Sequence, residues 1–420
     1  MPATPWAVLL CKSSDDGSEP YPRRRYEEMF TSAGAGKYNM VDYFREMSHG
    51  SLDLSGSAVF GWLPLGKRKS DYQGSGGNQK GRSDLIAWAR AAAVANGIDL
   101  TPYFSVLVVT NWPSDLFGGA DGAVCGGDSF PPSLLGQEMG HRYGLIHSRI
   151  EGSTQPYMDP WDVMSAANTY MAPHPYYTER DRRGSLLFTI GPGLNAANMW
   201  GRGWGDQSRV WAPEEDVYRY TVQLRPLHRH DLPGYLMALA GGYFVEFRVP
   251  EAWDAAIGQP VVLVHALQDG ISYLQSGVSG SQGLTVGDAF RLGDPADKLG
   301  HLIEVEVTDI DLAGHVATIG VTVQRDRHPK AGPAVVLDGV SEDAGGWVIV
   351  GGKVKKVPPW SPLKQILQSV VSIEESNEAH SGATRDLIRR EALQRISEQA
   401  SGQLEQMRMF HSPSGPLNGR

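Results

Sequence analysis

The most constraining feature of this chain is the stretch 133-SLLGQEMGHRYGLIHSRI-150, in which Gln137, Glu138, His141, Gly144 and His147 fall within eleven residues. Ser133 follows two prolines, a helix-start signal. From Leu134 to Tyr143 only Gly136 and Gly140 weaken a helix, and Gly144 suits a C-terminal cap in the left-handed conformation. Gln137 and His141 are four apart, so their side chains leave one helix face about 5–6 Å apart at Cβ. Glu138 projects roughly 100° around the helix. Gly144 turns the chain, and His147 arrives three residues later. Three protein donors with one open position suit a catalytic metal ion. A carboxylate beside them can take a proton from water acidified by that metal.

The rest of the chain divides into three regions. Residues 1–205 read as mixed α and β. Ala7–Cys11 is predicted as a short buried strand. Met40, Tyr43, Phe44 and Met47 have helical spacing after Asn39, a plausible N-cap. Leu52, Leu54, Ala58 and Phe60 suggest a strand bent at Gly56. Residues 66–82 read as a Gly-rich loop, with Ser83 capping the next helix. The continuous apolar run Tyr103–Thr110 predicts a central strand, and 111–131 a loop. Residues 206–328 carry dense β-type runs: Tyr218–Leu224, Tyr243–Val249, Val261–Leu267, Ala289–Leu292, Leu302–Thr308 and Val316–Val323. Short strands at this density predict a β-sandwich-like domain. Residues 329–410 suggest a hairpin of Val335–Leu337 with Trp347–Val350, then amphipathic helices over 362–376 and 383–410 that could dock or dimerise. Residues 411–420 read as a disordered tail. The fold class expected is therefore α+β.

Composition narrows the function. The chain has 50 glycines and 27 prolines in 420 residues, nearly a fifth against a usual ~12%, which favours loops and sheets over a helix bundle. A net charge of −9 argues against a basic nucleic-acid-binding surface. No stretch reaches the ~18–20 apolar residues of a membrane span. Two cysteines, Cys11 and Cys125, allow one bridge at most, which the sequence does not decide. The apolar run Trp6–Cys11 is too short for a signal-peptide core, so localisation is left open.

The site stretch resembles the extended metzincin motif H-E-x-x-H-x-x-G-x-x-H with its methionine-containing turn. Here the chain reads Q-E-M-G-H-R-Y-G-L-I-H, Gln137 to His147, followed by 159-DPWDVMS-165, where Met164 fits the turn. Within the metzincins it is similar to the gametolysin family, some members of which carry Gln at the first position. The stretch VDYFREMSHGSLDLSG and the D-x-x-D-V-M turn add to that likeness, which covers roughly residues 5–205. The resemblance implies a zincin catalytic domain with a substrate groove between the parts before Gly144 and after His147. It implies metal-dependent cleavage of peptide bonds in protein or glycoprotein substrates, and an extracellular setting. Gln137, His141 and His147 would hold the metal, Glu138 would be the general base and Met164 would pack beneath. A neutral amide is a weaker ligand than imidazole. Zinc is the expected metal and copper the alternative, since Gln-bearing relatives are associated with copper and copper stands above zinc in the affinity series.

Blander readings stand beside these. Tyr157 and Tyr170 read as packing ahead of a role in stabilising an oxyanion near the metal, His174 as a surface loop histidine ahead of a spare ligand, His228 and His230 as β-domain surface, and Cys125 as a buried inert thiol. A retired protease scaffold acting as a protein- or glycan-binding module is the alternative function, with glycan contact through the β-domain.

Overall fold

The computed structural model describes residues 3–73, 79–114, 116–128, 130–165, 169–213, 217–297, 300–324, 340–341, 347–350 and 353–356. The fold is mixed α+β, with several sheets and few helices. By contacts the chain separates into two compact units, residues 1–328 and 329–420.

The first unit opens with β1 (Trp6–Lys12), whose side chains from Trp6 to Cys11 are all buried. Helix α1 (Arg23–Phe30) follows, then α2 (Met40–Met47). Asn39 caps α2 by accepting the Asp42 N–H at 2.9 Å, which satisfies a donor the helix leaves orphaned. Met40, Tyr43, Phe44 and Met47 are buried, as the periodicity predicts. Strand β2 (Ala58–Pro64) starts later than expected; Leu52 and Leu54 are buried outside any strand. The predicted 66–82 loop holds a short helix α3 (Lys69–Gln73), and α4 (Gln79–Ala95) begins before Ser83, so Ser83 is not its cap.

Strand β3 (Ser105–Thr110) lies between β1 and β5 (Gly122–Gly126), fully buried, and β4 (Phe117–Gly119) forms one edge. The sheet order is β2-β1-β3-β5-β4, parallel except for β4. Expected as loop, β4 and β5 are strands rich in glycine for a packing reason. A Cβ on Gly118 would lie 1.8 Å from the Glu138 carbonyl oxygen, so only glycine lets β4 press against the helix that follows, α5 (Pro132–Arg142).

After α5 come β6 (Arg149–Ile150), β7 (Ala172–Pro173), β8 (Thr189–Ile190), α6 (Ala196–Gly201) and β9 (Val210–Trp211). Two more sheets follow. One has four antiparallel strands in the order β10 (Tyr218–Leu224), β17 (Val316–Gln324), β16 (Leu302–Asp311) and β15 (Ala289–Leu292). The other joins β14 (Ile271–Leu274), β13 (Val261–Gln268), β12 (Tyr243–Arg248) and β11 (Met237–Ala240), with β6 added at one edge and β9 at the other. Their alternating Val222, Val245, Phe247, Val264, Val305 and Ile319 share one core. A second core crosses position 205: Trp253 packs edge-on against Tyr38 and Tyr43, with centroids 4.9 and 5.0 Å away.

In the second unit the described residues form a sheet of β18 (Val340–Ser341), β19 (Trp347–Val350) and β20 (Lys353–Lys356). Val335–Leu337, both predicted C-terminal helices and the 411–420 tail lie outside the described residues. No described helix is long and apolar enough to cross a membrane.

Candidate functional site

Helix α5 begins with Pro132 in its first turn, where a missing N–H costs nothing. Its two glycines are contact points. A Cβ at Gly136 would meet the Tyr43 ring at 2.8 Å, and one at Gly140 would meet Met164 Sδ at 2.8 Å. Met164 is therefore packed directly beneath the helix. Gly144 ends it with φ +81°. Leu145 N–H reaches back to the Gly140 carbonyl at 3.2 Å, a six-to-one closure that turns the chain.

The turn brings two imidazoles together. His141 Nε2 and His147 Nε2 are 2.9 Å apart. The Leu145 carbonyl lies 2.9 Å from His141 Nδ1, so that nitrogen donates and Nε2 keeps its lone pair. Burial pushes both histidines down. His147 falls to about 4, with His141 and Arg149 adding to the effect of burial. Burial thus favours the neutral form of both rings, the form that ligates metals. In a tetrahedral site with bonds near 2.0–2.1 Å, donor atoms stand about 3.3 Å apart, close to the separation seen here.

Tyr157, read from the sequence as packing ahead of an oxyanion role, lies beside the imidazole pair. Its hydroxyl is 3.1 Å from His147 Nε2 and the two rings are 4.2 Å apart. Its backbone is left-handed, φ 65°. Burial raises its pKa first, and the Glu138 carboxylate raises it further, which places Glu138 within electrostatic reach of the same point. Gln137 is buried one turn before His141, and among the described residues no contact joins its amide to either imidazole. Nor do three His, Cys, Asp or Glu side chains gather as a ligand set among those residues. Among the described residues, Gln137 and Tyr157 are the polar side chains nearest the imidazole pair that could add a third donor. Two convergent imidazoles, an amide without a hydrogen-bond partner among the described residues and a phenol fit a borderline metal such as zinc or copper.

A dry polar network holds this turn. Ser148 N–H donates to the Met164 carbonyl at 2.9 Å, and its hydroxyl donates to Asp162. Asp162 also accepts from the side-chain amides of Asn198 and Asn195 at 2.7 and 3.0 Å. Asp159 meets His265 Nε2 at 3.0 Å. All six of these side chains are buried. Burial, then the neighbouring Asp159, pushes Asp162 up.

Other expectations are placed differently by the fold. His174 is not a surface residue; it is 1% exposed, and its Nδ1 accepts the N–H groups of Tyr176 and Tyr177, both at 3.1 Å. His228 and His230 lie in a turn, and both nitrogens of His228 are buried. Cys11 and Cys125 are free and buried, their thiols pushed up by burial. Tyr170 packs on Trp161, with ring centroids 5.6 Å apart.

His174 makes a pH prediction. Burial lowers it to about 4 from an ordinary 6.5. Its folded pKa lies below the unfolded one, so the stability it supports is present above 6.5 and is lost as pH falls toward 4, by roughly 3 kcal/mol. Urea unfolding at pH 7.5 and 4.5 is expected to show a smaller acid loss in His174→Asn, which keeps an acceptor without a titrating ring. Equal acid losses in the two proteins would count against this role.

No protein-family model and no curated protein matches the chain. Among solved structures it is similar to the crystal structure of wild-type OgpA from Akkermansia muciniphila, at 11% identity and a TM-score of 0.29, covering 77% of this chain and 95% of that one. A TM-score at that level carries no argument.

Proposed function

We propose that this chain is a metal-dependent endopeptidase of the gametolysin-like kind, cleaving protein or glycoprotein substrates. The observation that carries the reading is the convergence at 2.9 Å of Nε2 of His141, on the helix that also bears Glu138, and Nε2 of His147, beyond the turn that ends it. His141, His147 and Gln137 would hold zinc, with copper the alternative metal. Tyr157 stands beside them as a further donor or hydrogen-bonding group.

When bound, the metal would supply Lewis acidity toward the scissile carbonyl and acidify a water. The chain's residues do the rest. Glu138 accepts the proton of the attacking water and returns it to the leaving amine nitrogen. The Tyr157 hydroxyl donates to the carbonyl oxygen as negative charge builds there. Met164 and the Gly140 contact keep the helix seated. Strand β4, at the sheet edge against Glu138, offers a backbone ladder to an extended peptide.

The test is metal content of the purified protein, before and after chelation and re-addition of zinc or copper, followed by a broad peptide library. Metal-dependent cleavage is the expected result. Metal retained without turnover on any peptide would assign the scaffold a binding role instead. Gln137→His is expected to raise zinc retention during dialysis by about tenfold or more, because imidazole is the better zinc donor. Unchanged retention would remove Gln137 from the ligand set.

A further inference from the structure

A cavity of about 650 Å³ opens where the 159–165 turn meets the start of β13. Its size falls within the ~300–1,000 Å³ of sites that hold small ligands. One wall is aromatic, made by Trp161 and Tyr170 with rings tilted 45° to each other. Gln259, Ser281 and Gln282 line it with polar groups, and Gly283 lets the indole approach closely, since a Cβ there would lie 3.0 Å from Trp161 Cζ2. Gln259 is exposed and Gln282 half-buried, and their amides have no hydrogen-bond partner among the described residues. The Trp161 indole N–H is buried and also without a partner. Among the described residues, none that lines the cavity carries a formal charge.

That chemistry selects a ligand class. A phosphate or carboxylate would find no cation among these residues, and an ammonium group no carboxylate. A wholly apolar ligand would leave the amide groups at the rim without a partner. A peptide adding itself as a strand needs a free backbone edge. Val262 and Leu284 already exchange both of their hydrogen bonds, at 2.9 Å each, beside the cavity. What remains is a neutral ring with an apolar C–H face and a rim of hydroxyl or acetamido groups. The face stacks on the aromatic wall while the rim pairs with amides that both donate and accept. We infer that this cavity is a binding subsite for a neutral saccharide unit, a hexose or an N-acetylhexosamine.

The experiment is saturation-transfer NMR and calorimetric titration of the full chain. The probes are galactose, glucose, N-acetylgalactosamine and N-acetylglucosamine, with glucuronic acid as a charged control and neutral acetylated tripeptides as the competing class. At least one neutral sugar is expected to bind, and glucuronic acid is not. Trp161→Ala removes a buried side chain and can unfold the protein, so the working variants are Gln259→Ala/Gln282→Ala and Tyr170→Leu. With melting unchanged, either is expected to weaken the sugar at least about tenfold. Binding is expected to persist in Glu138→Ala, so the inference is tested apart from the peptidase reading. No neutral sugar binding at tens of millimolar, binding indifferent to both variants, or tripeptides binding in place of sugars would each overturn it.

Discussion

Glu138→Ala is expected to lower peptide hydrolysis about a thousandfold or more while leaving metal content at the wild-type level. The size follows from the role, since a positioned general base contributes about 10²–10⁴-fold. The separation of the two readouts follows from placement. Glu138 leaves α5 on a different bearing from Gln137 and His141, and its electrostatic influence is felt at Tyr157. Its backbone is pinned by β4, whose Gly118 leaves no room for a side chain against the Glu138 carbonyl. Removing the carboxylate therefore removes the proton acceptor while the backbone of α5 stays seated against β4. The check is kcat on a fluorogenic peptide beside metal analysis of the same sample. A variant that keeps wild-type kcat would end the assignment of Glu138 as the base. One that loses its metal would show that Glu138 supports the site instead.

What the sequence reveals here is local, and what it hides is long-range or enforced by close packing. Asn39 and the spacing of Met40, Tyr43, Phe44 and Met47 mark α2, because caps and helical faces are written within one or two turns. The convergence of His141 and His147 is legible for the same reason: a helix end and one left-handed glycine separate them. Strands β4 and β5 escape notice because the glycines that permit contact with α5 look like loop residues. Tyr157 reads as packing first because only the folded loop, with a non-glycine residue held left-handed, carries its hydroxyl back to His147. His174 reads as surface because its two amide donors become visible only when the following tyrosines fold over it. The one available cue was that His174 and Tyr177 lie three apart, near enough for their rings to stack at 4.6 Å.

Asp162→Ala is expected to cost about 3–5 kcal/mol and to loosen the candidate metal turn along with the fold. Asp162 is fully buried and accepts from the Ser148 hydroxyl, both amide groups of Asn195 and the Asn198 side chain. Alanine leaves those donors in a dry interior, where each stranded group costs roughly 1–3 kcal/mol and the sum is less than additive. Ser148 follows His147 directly and its N–H holds the Met164 carbonyl, so the loss is transmitted to the imidazole pair through the backbone. The acceptor matters more than the charge. Burial and Asp159 already push this carboxyl up, so the protein gains little from its ionised form. Asp162→Asn, whose oxygen can still receive Ser148 and Asn198, is accordingly expected to cost under about 2 kcal/mol. Urea unfolding of both variants, read beside the rate at which a chelator strips their metal, separates the two contributions. Equal losses for alanine and asparagine would mean that the negative charge, through Asp159 and His265, is what holds the turn.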